Sequence, residues 1–244
     1  MRDPYVLFLG GTETYGKFVA DPYPIRTSQE LELTAVNLGV CNTGPDLYLS
    51  EPTLTAFSRR AQATVVQIPG IQNLTNRYYS VHPRRNDRFV EAANLLRTIY
   101  RDVEFSDFHF TGHLLMHLNL LDEQRFDILR VELQQAWFAR MTTLIHALSG
   151  PVILVNLNAT DDPLGLHPTA DMVTALRPLV HDILDAPVSD GAKAEGTARM
   201  IHMPLEKAAA EQLLSQRGHE ELANELTPIL RPFVPRPDQS IPAE

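Results

Sequence analysis

The sequence predicts an α/β fold, a three-layer sandwich in which a parallel sheet of about five strands lies between layers of helices. Short, mostly apolar runs alternate along the 244 residues with segments of helical periodicity, which is typical of a doubly wound parallel sheet. Runs without a polar face indicate strands that are covered by helices on both sides. Glycine, proline or asparagine follows several of these runs, which places turns at the strand ends.

The first strand is predicted over residues 5–9, where an apolar run ends at two glycines. The same kind of pattern predicts four more strands, over residues 35–40, 63–68, 151–157 and 179–184. Helical periodicity predicts helices between them, over residues 28–33, 51–61, 88–100, 111–121 and 122–148.

The interval between the third and fourth predicted strands is too long for a simple crossover. We therefore predict a helical insertion over about residues 74–148, at the edge where the strands end, within a single domain of residues 1–231. The remaining residues, 232–244, include four prolines and few apolar residues, which predicts a mobile tail.

Composition and charge narrow the expected partners and location. The chain has 21 Lys and Arg against 30 Asp and Glu, a net charge of −9, so we expect no nucleic-acid partner. No apolar stretch is long enough for a membrane span or a signal peptide, so we expect no membrane partner. With one cysteine, Cys41, no internal disulfide can form, and a cytoplasmic location is expected. The sequence leaves a homodimer open.

The turn after the first strand is the sharpest local signal. Residues 8–16 are Phe-Leu-Gly-Gly-Thr-Glu-Thr-Tyr-Gly, so a buried strand runs into two glycines and then the hydroxyl of Thr12. A tight turn there exposes this hydroxyl and directs backbone amides, including those of Gly11 and Glu13, toward a bound group. The pattern favours a nucleophile with an oxyanion site, or an anion site at a helix start. An ordinary strand-to-helix turn is the structural alternative.

Three strand-end motifs together resemble the SGNH (GDSL-like) hydrolases. Gly10-Gly11-Thr12 is similar to the Gly-Asp-Ser of that superfamily's first block, with glycine in place of aspartate and threonine in place of serine. Residues 37–44, Asn-Leu-Gly-Val-Cys-Asn-Thr-Gly, resemble the second block, and residues 65–73, which end in Gln-Asn, resemble the third.

The resemblance implies an SGNH/flavodoxin-like sheet and a hydrolytic site in which Thr12 is the nucleophile. It implies that Gly44, with Gly39 as the competitor, donates a backbone amide to the oxyanion. Asn73, with Gln72 as the competitor, would donate a side-chain amide. That chemistry requires neither a metal nor an organic cofactor.

The superfamily's last motif, Asp-x-x-His before the final helix, is absent, because none of the nine histidines has an aspartate three residues earlier. His202 and His219 are the two substitutes, since each stands at the start of a C-terminal segment of helical character. His219 is preferred because its helix is the last. The aspartates that could orient either histidine through space are Asp161, Asp162, Asp185 and Asp190.

A threonine in the nucleophile position weakens the prediction of hydrolysis. The branched Cβ of Thr12 restricts its rotamers and crowds the path of attack. The resemblance therefore supports the fold more firmly than it supports hydrolysis, and a site that binds without hydrolysing is a second hypothesis.

Residues 76–88 carry four arginines and one histidine, in a chain of net charge −9. Arginine suits bidentate recognition of phosphate, sulfate or carboxylate, and the segment follows the third strand, so we predict an anion-binding set. Its members are Arg77, His82, Arg84, Arg85 and Arg88. A loop of structural ion pairs is the alternative. His-Pro-Arg-Arg-Asn-Asp-Arg-Phe in this segment and Gly-Gly-Thr-Glu-Thr-Tyr-Gly near the N-terminus also resemble an uncharacterised bacterial family.

His109, His113 and His117 stand four residues apart, a spacing that could place them on one face of a helix. Zinc-binding His-Glu-x-x-His needs a glutamate after the first histidine, whereas Phe110 and Leu114 follow the first two here. We therefore predict no metal site.

The sequence supports three functional hypotheses. The first is an SGNH-like esterase, acyl hydrolase or acyltransferase that acts on an anionic small molecule, carbohydrate-linked ones included. The second is a catalytically degenerate SGNH-like module that binds an anionic ligand or a partner protein. The third is a group transferase whose phosphate- or sulfate-bearing donor binds the arginines. A histidine nitrogen within reach of the Thr12 hydroxyl distinguishes the first hypothesis from the second.

Overall fold

A parallel sheet lies at the centre of the computed structural model, which describes residues 3–157 and 162–235. The strands of the described residues are β1 (Tyr5–Leu9), β2 (Thr34–Asn37), β3 (Ala63–Gln67), β4 (Tyr79–His82), β5 (Arg85–Ala92), β6 (Val152–Asn156) and β7 (Asp182–Asp185). Their α-helices are α1 (Thr12–Tyr15), α2 (Tyr23–Leu31), α3 (Pro45–Ser50), α4 (Pro52–Ala56), α5 (Asn94–Ile99), α6 (Thr111–Leu121), α7 (Glu123–Ala147), α8 (Ala170–Leu176), α9 (Asp190–Glu195), α10 (Lys207–Ala210) and α11 (Gln216–Leu230). Short 3₁₀ helices cover Phe57–Arg60, Phe105–Asp107, Arg177–Leu179, Pro204–Glu206 and Arg231–Phe233.

The five-stranded sheet has the order β2-β1-β3-β6-β7, and every pair of neighbours is parallel. In β1, Leu7 lies opposite Val36 of β2 and Thr64 of β3. The residues that follow β1 therefore meet the ends of both neighbouring strands at one edge of the sheet, where α/β folds place their sites.

Helices cover both faces of the sheet, because alternate residues of each strand point to opposite sides. Leu7 and Leu9 belong to one apolar cluster together with Trp137 of α7. Val6 and Phe8 belong to the other cluster, with helices α2 and α11. This arrangement confirms the predicted fold class, a three-layer sandwich around five parallel strands.

The insertion between β3 and β6 contains an antiparallel hairpin of β4 and β5, followed by α5, α6 and α7. The predicted helices over residues 111–121 and 122–148 are confirmed as α6 and α7. Helix α7 begins after Asp122, whose carboxylate accepts a hydrogen bond from the Arg125 amide at 3.0 Å.

The helix predicted over residues 88–100 is wrong in its first half, because residues 85–92 form β5 and helix α5 begins only at Asn94. Phe89, Ala92 and Leu96 are all buried, and their spacing of three and four residues imitates a helical face. Pairing of Phe89 with Val81 across the hairpin overrides this local pattern.

Boundary shifts of a few residues occur elsewhere, as in β7 and α2. The tail predicted to be mobile, residues 232–244, lies outside the described residues from residue 236 onward, so its mobility stays a prediction. Across residues 3–157 and 162–235, every helix is too short or too polar to span a bilayer.

Candidate functional site

Thr12 lies directly after the turn that ends β1, as the first residue of the one-turn helix α1. Its side chain is mostly buried, with 8% of the residue exposed. The turn requires glycine at position 10, where a Cβ atom would lie 2.1 Å from the Thr14 hydroxyl and 2.6 Å from Cβ of Gln67. Close packing of Gly10 against β3 therefore fixes the backbone conformation that leads to Thr12.

The hydroxyl of Thr12 is bonded to Asn42 in two ways. It donates to Asn42 Oδ1 at 3.1 Å and accepts from the Asn42 backbone N–H, also at 3.1 Å. Asn42 has a positive φ of 55°, a left-handed conformation that asparagine tolerates better than most residues. The second strand-end loop thus closes onto the Thr12 hydroxyl through Asn42, and it also contacts the first loop through Asn37 and Val40.

Asn73, the third predicted site residue, continues this chain of hydrogen bonds. Its Nδ2 donates to the Asn42 carbonyl at 2.9 Å, and its Oδ1 accepts from the Thr111 hydroxyl at 2.7 Å. We call Thr12, Asn42, Asn73 and Thr111 the outer network. The sequence motifs pointed to the loops that hold its first three members, whereas Thr111 comes from the insertion and carries no motif.

The two glycines predicted as oxyanion donors have partners within the fold. The Gly44 amide donates at 3.0 Å to Oδ1 of Asn86, which is fully buried and also accepts from Leu47 N–H. The Gly39 amide donates to Oδ1 of Asn37 at 2.9 Å. Gly44 nevertheless lies close to the site, since a Cβ there would fall 1.8 Å from the Asn73 carbonyl oxygen.

Gln67, the last residue of β3, fastens the other side of the turn. Its Oε1 accepts from Gly11 N–H at 3.0 Å, Thr14 N–H at 3.2 Å and the Thr14 hydroxyl at 2.6 Å. Its Nε2 donates to the Glu13 carboxylate at 2.7 Å. The Gly11 amide, predicted to face an anion, is therefore directed at Gln67 instead.

His219, the preferred base, lies buried in α11 beneath the same turn. Its ring stacks on Tyr23 with centroids 6.0 Å apart, and its Nδ1 accepts from Tyr23 N–H at 3.2 Å. The Tyr23 hydroxyl in turn lies 2.8 Å from the Thr14 hydroxyl. Burial, with a smaller contribution from Arg26, lowers the pKa of His219 to about 4. We call Gln67, Thr14, Tyr23 and His219 the inner network.

His202 lies in the segment between α9 and α10, half-buried against the residues that follow α1. Its ring stands edge-on to Phe18 at 6.4 Å, and Ile201 N–H donates to the Phe18 carbonyl at 2.7 Å. His202 Nδ1 lies 3.0 Å from the Met203 carbonyl oxygen. Among the described residues, neither His202 nor His219 forms a hydrogen bond to Thr12.

The described aspartates that could have oriented a catalytic histidine are bonded to other residues. Asp162 accepts from the amides of Leu166 and His167 at 2.8 and 2.7 Å, and Asp185 accepts from Asn156 at 2.7 Å. Asp190 pairs with Lys193 at 3.9 Å. Asp161 lies outside the described residues.

Cys41, the residue before Asn42, is half-buried and its thiol is influenced by three charged groups. Burial raises the pKa of the Cys41 thiol, Lys17 opposes this shift, and the carboxylates of Glu13 and Asp87 add to it. Two carboxylates and one ammonium group therefore act on Cys41, the residue next to Asn42 of the outer network.

The predicted arginines lie on the β4–β5 hairpin or, for Arg77, just before it, and they form two groups. Arg77 Nε donates to the buried carboxylate of Glu132 at 2.7 Å, and Arg84 Nε donates to Glu51 at 2.6 Å. Arg88 lies 4.5 Å from the centre of the Phe110 ring, and its buried Nε has no hydrogen-bond partner among the described residues. Arg85 forms no ion pair with any of the residues that the structure describes.

The remaining histidines of interest are separated by the fold. His82 accepts from Arg84 N–H at 3.2 Å. His113 and His117 lie on α6 and contact the Phe108 ring, at centroid distances of 5.0 and 5.1 Å, whereas His109 precedes the helix. Residues 3–157 and 162–235 contain no group of three or more His, Cys, Asp or Glu side chains placed to bind a metal.

Two solved structures resemble this fold over almost the whole chain. One is a family two carbohydrate esterase from Clostridium thermocellum in complex with cellohexaose, with 13% identity, a TM-score of 0.50 and 94% of this chain covered. The other is an acetyl xylan esterase from the rumen bacterium Butyrivibrio proteoclasticus, with 12% identity, a TM-score of 0.50 and 95% covered. This chain spans 64% of the length of each.

At this identity the likeness shows the fold alone, which is that of SGNH-like esterases. No curated protein matches the sequence. Residues 1–234 match the family described as Domain of unknown function (DUF6473). Because this match covers nearly the whole chain, the protein belongs to the DUF6473 family.

Proposed function

We propose that this protein binds a carbohydrate at the Thr12 edge of its sheet and does not hydrolyse it. The hydrogen bonding of Thr12 carries the proposal. Its proton is donated to the amide oxygen of Asn42, which is no base at neutral pH, and no histidine of the described residues is bonded to it. A hydroxyl nucleophile requires an oriented base within hydrogen-bond distance.

The placement of the amides supports the same conclusion. Oxyanion donors act only when they point at the developing charge. The Gly44 N–H points instead at Asn86, and one N–H of Asn73 is held by the Asn42 carbonyl. The second N–H of Asn73 remains for a ligand.

The chemistry around the outer network suits a hydroxyl-rich ligand. The Glu13 and Asp87 carboxylates accept hydrogen bonds from hydroxyl groups, and Asn73 can donate one. Tyr15 follows Thr14 in the chain, is 54% exposed and offers an aromatic face for a sugar ring. Phe110 precedes Thr111 and is 42% exposed, and Arg88 covers one face of its ring. Both fold relatives are named for carbohydrate substrates, which agrees with this chemistry.

The predicted anion-binding set contributes less to this proposal. Arg77 and Arg84 are paired with Glu132 and Glu51, which favours the structural alternative for these two residues. Arg85 and Arg88 remain as the proposed contact for an anionic substituent on the ligand. The third hypothesis, a group transferase, requires all four arginines to bind the donor. Because two of them are already paired with glutamates, this hypothesis has little support.

Calorimetric titration with cellohexaose and with acetylated xylo-oligosaccharide, together with an assay for released acetate, tests the proposal. We expect binding without acetate release, and weaker binding by Thr12→Val. Thr227→Val is the matched control, because Thr227 is a buried threonine of α11 whose hydroxyl donates to Ala223. Acetate release that depends on Thr12 would contradict the absence of hydrolysis, and no binding of either oligosaccharide would contradict the ligand class.

A second candidate, an acyl hydrolase with His202 as the base, is favoured by one observation. The Met203 carbonyl lies 3.0 Å from His202 Nδ1, which can hold a proton on Nδ1 and leave Nε2 as the base. Thr12 Oγ1 would attack the acyl carbon as Nε2 takes its proton. The leaving alcohol would take that proton, and water would then release the acid. In this case His202→Ala and Thr12→Ala both abolish acetate release, whereas His219→Gln retains it.

A further inference from the structure

We propose that Thr111 is a positioning residue that orients the side-chain amide of Asn73 toward the Thr12 edge. This inference rests on the proposed function, since it assigns a role in the same binding site. Thr111 is the first residue of α6 and is 1% exposed, so its hydroxyl has no access to bulk water. The hydroxyl donates to Asn73 Oδ1 at 2.7 Å, the usual distance for a well-formed O–H···O hydrogen bond.

An asparagine amide has two orientations, which exchange its oxygen and its nitrogen. The Asn42 carbonyl accepts hydrogen bonds and cannot donate them, so it requires Nδ2 of Asn73 on its side, at 2.9 Å. Oδ1 then faces Thr111, whose hydroxyl supplies the donor that this oxygen needs. The amide is thereby held at both ends, and its second N–H has no partner among the described residues.

The Thr111 hydroxyl serves Asn73 rather than its own helix. Helix α6 has no side-chain cap at its N-terminus, and the hydroxyl's other contact, the Asp87 carbonyl, is distant at 3.4 Å. A donor on Oδ1 also polarises the amide, which strengthens the hydrogen bonds that its N–H groups donate.

Hairpin β4–β5 holds the start of α6 in place. Phe89 N–H donates to the His109 carbonyl at 3.1 Å, and Arg88 forms an antiparallel bridge with Phe110. The insertion therefore presents Thr111 from an anchored segment. A site on the sheet edge thus depends on a hydroxyl that lies outside the three strand-end loops.

Two measurements on Thr111→Val, Thr111→Ser and the control Thr227→Val test this role. The first is the NMR resonance of the Asn73 side-chain amide in the free protein, assigned by its loss in Asn73→Asp. The second is the affinity for cellohexaose. We expect Thr111→Val to shift the resonance and to weaken binding by about three- to tenfold, the value of one neutral hydrogen bond. Thr111→Ser and Thr227→Val should retain both.

An unshifted Asn73 resonance in folded Thr111→Val would overturn the inference, as would an equal effect of Thr111→Ser, which keeps the hydroxyl. Thr111→Ala gives the same two readouts if the valine variant does not fold. If the unaltered protein fails to bind cellohexaose, the proposed ligand is wrong. The Asn73 resonance still decides whether Thr111 positions the amide.

Discussion

Two hydrogen-bond networks start from alternate residues of one short turn and run to opposite sides of it. The inner network starts at Thr14 and passes through Gln67 and Tyr23 to His219, all of them buried. The outer network starts at Thr12 and passes through Asn42 and Asn73 to Thr111 at the edge of the sheet. Both networks consist of polar side chains that carry no charge at neutral pH.

The two networks differ in what is left unpaired. In the inner network, Gln67 Oε1 alone accepts three hydrogen bonds, and the groups around it lie in an apolar layer. The outer network ends in Asn73, which keeps one N–H for a ligand. A buried network whose central oxygen accepts three hydrogen bonds stabilises one conformation, whereas an edge network with a spare donor can recognise another molecule. We therefore expect substitutions in the inner network to affect mainly stability and those in the outer network mainly binding.

Gln67→Leu should have the largest effect on stability. It leaves the buried N–H groups of Gly11 and Thr14 without an acceptor, at a cost of about 1–3 kcal/mol each. We expect a loss of about 3 kcal/mol or more in the free energy of unfolding, measured by urea denaturation. Gln135→Leu, on the exposed face of α7, is the control and should stay within about 0.5 kcal/mol. Equal losses in both variants would show that the inner network is not structural.

His219 should make the stability of the protein depend on pH. Burial holds its pKa at about 4 in the folded chain, below the ordinary 6.5, so the unfolded chain takes up a proton first as the pH falls. The stability that neutral His219 contributes is complete above about pH 6.5 and is lost as the pH falls toward 4. Between about pH 7 and pH 4.5 we expect a loss of about 2–3 kcal/mol from this residue.

The measurement is urea denaturation at both pH values for the unaltered protein, His219→Gln and His146→Gln. Glutamine at position 219 retains an acceptor for Tyr23 N–H but does not titrate, so its pH dependence should be smaller. His146 is exposed on α7, and its replacement should leave the dependence as it was. A dependence that survives in His219→Gln would assign it to other groups.

The sequence predicted the sheet and the edge at which the outer network lies, because both rest on local signals. Apolar runs that stop before Gly10 and Pro69, and the polar loop that contains Asn42, mark the ends of β1, β3 and β2. Parallel pairing then brings those ends together. The same reasoning predicted Asn73 at this edge, where its Nδ2 donates to the Asn42 carbonyl.

The sequence could not predict which partner each polar group selects. Thr111 reaches Asn73 from 38 residues away, and Gln67 reaches Thr14 from 53 residues away. Such contacts depend on how the insertion and β3 pack, and no local pattern encodes them. His219 was chosen for its position on the last helix, whereas its stacking on Tyr23 depends on how α2 and α11 meet across the layer.

Substitutions of Asn42 separate the effect of its backbone conformation on stability from the effect of its side chain on binding. With φ at 55°, its backbone favours glycine over alanine, so Asn42→Gly should be more stable than Asn42→Ala by about 1 kcal/mol in urea denaturation. Both variants lose the Oδ1 that accepts from Thr12 and keep the N–H that donates to it. Their affinities for cellohexaose should therefore fall by the same factor.

The same two substitutions at Asn119, inside helix α6, are the matched control. In a helix the alanine variant should be more stable than the glycine variant by about 1 kcal/mol, the opposite of the order expected at position 42. If alanine were also the more stable residue at position 42, the left-handed backbone would not be what holds Asn42 against Thr12. If the two variants at position 42 differed in affinity as they differ in stability, ligand binding would depend on the shape of the loop. The side-chain amide of Asn42 would then have no separate role, and the outer network would resemble the inner one in being structural.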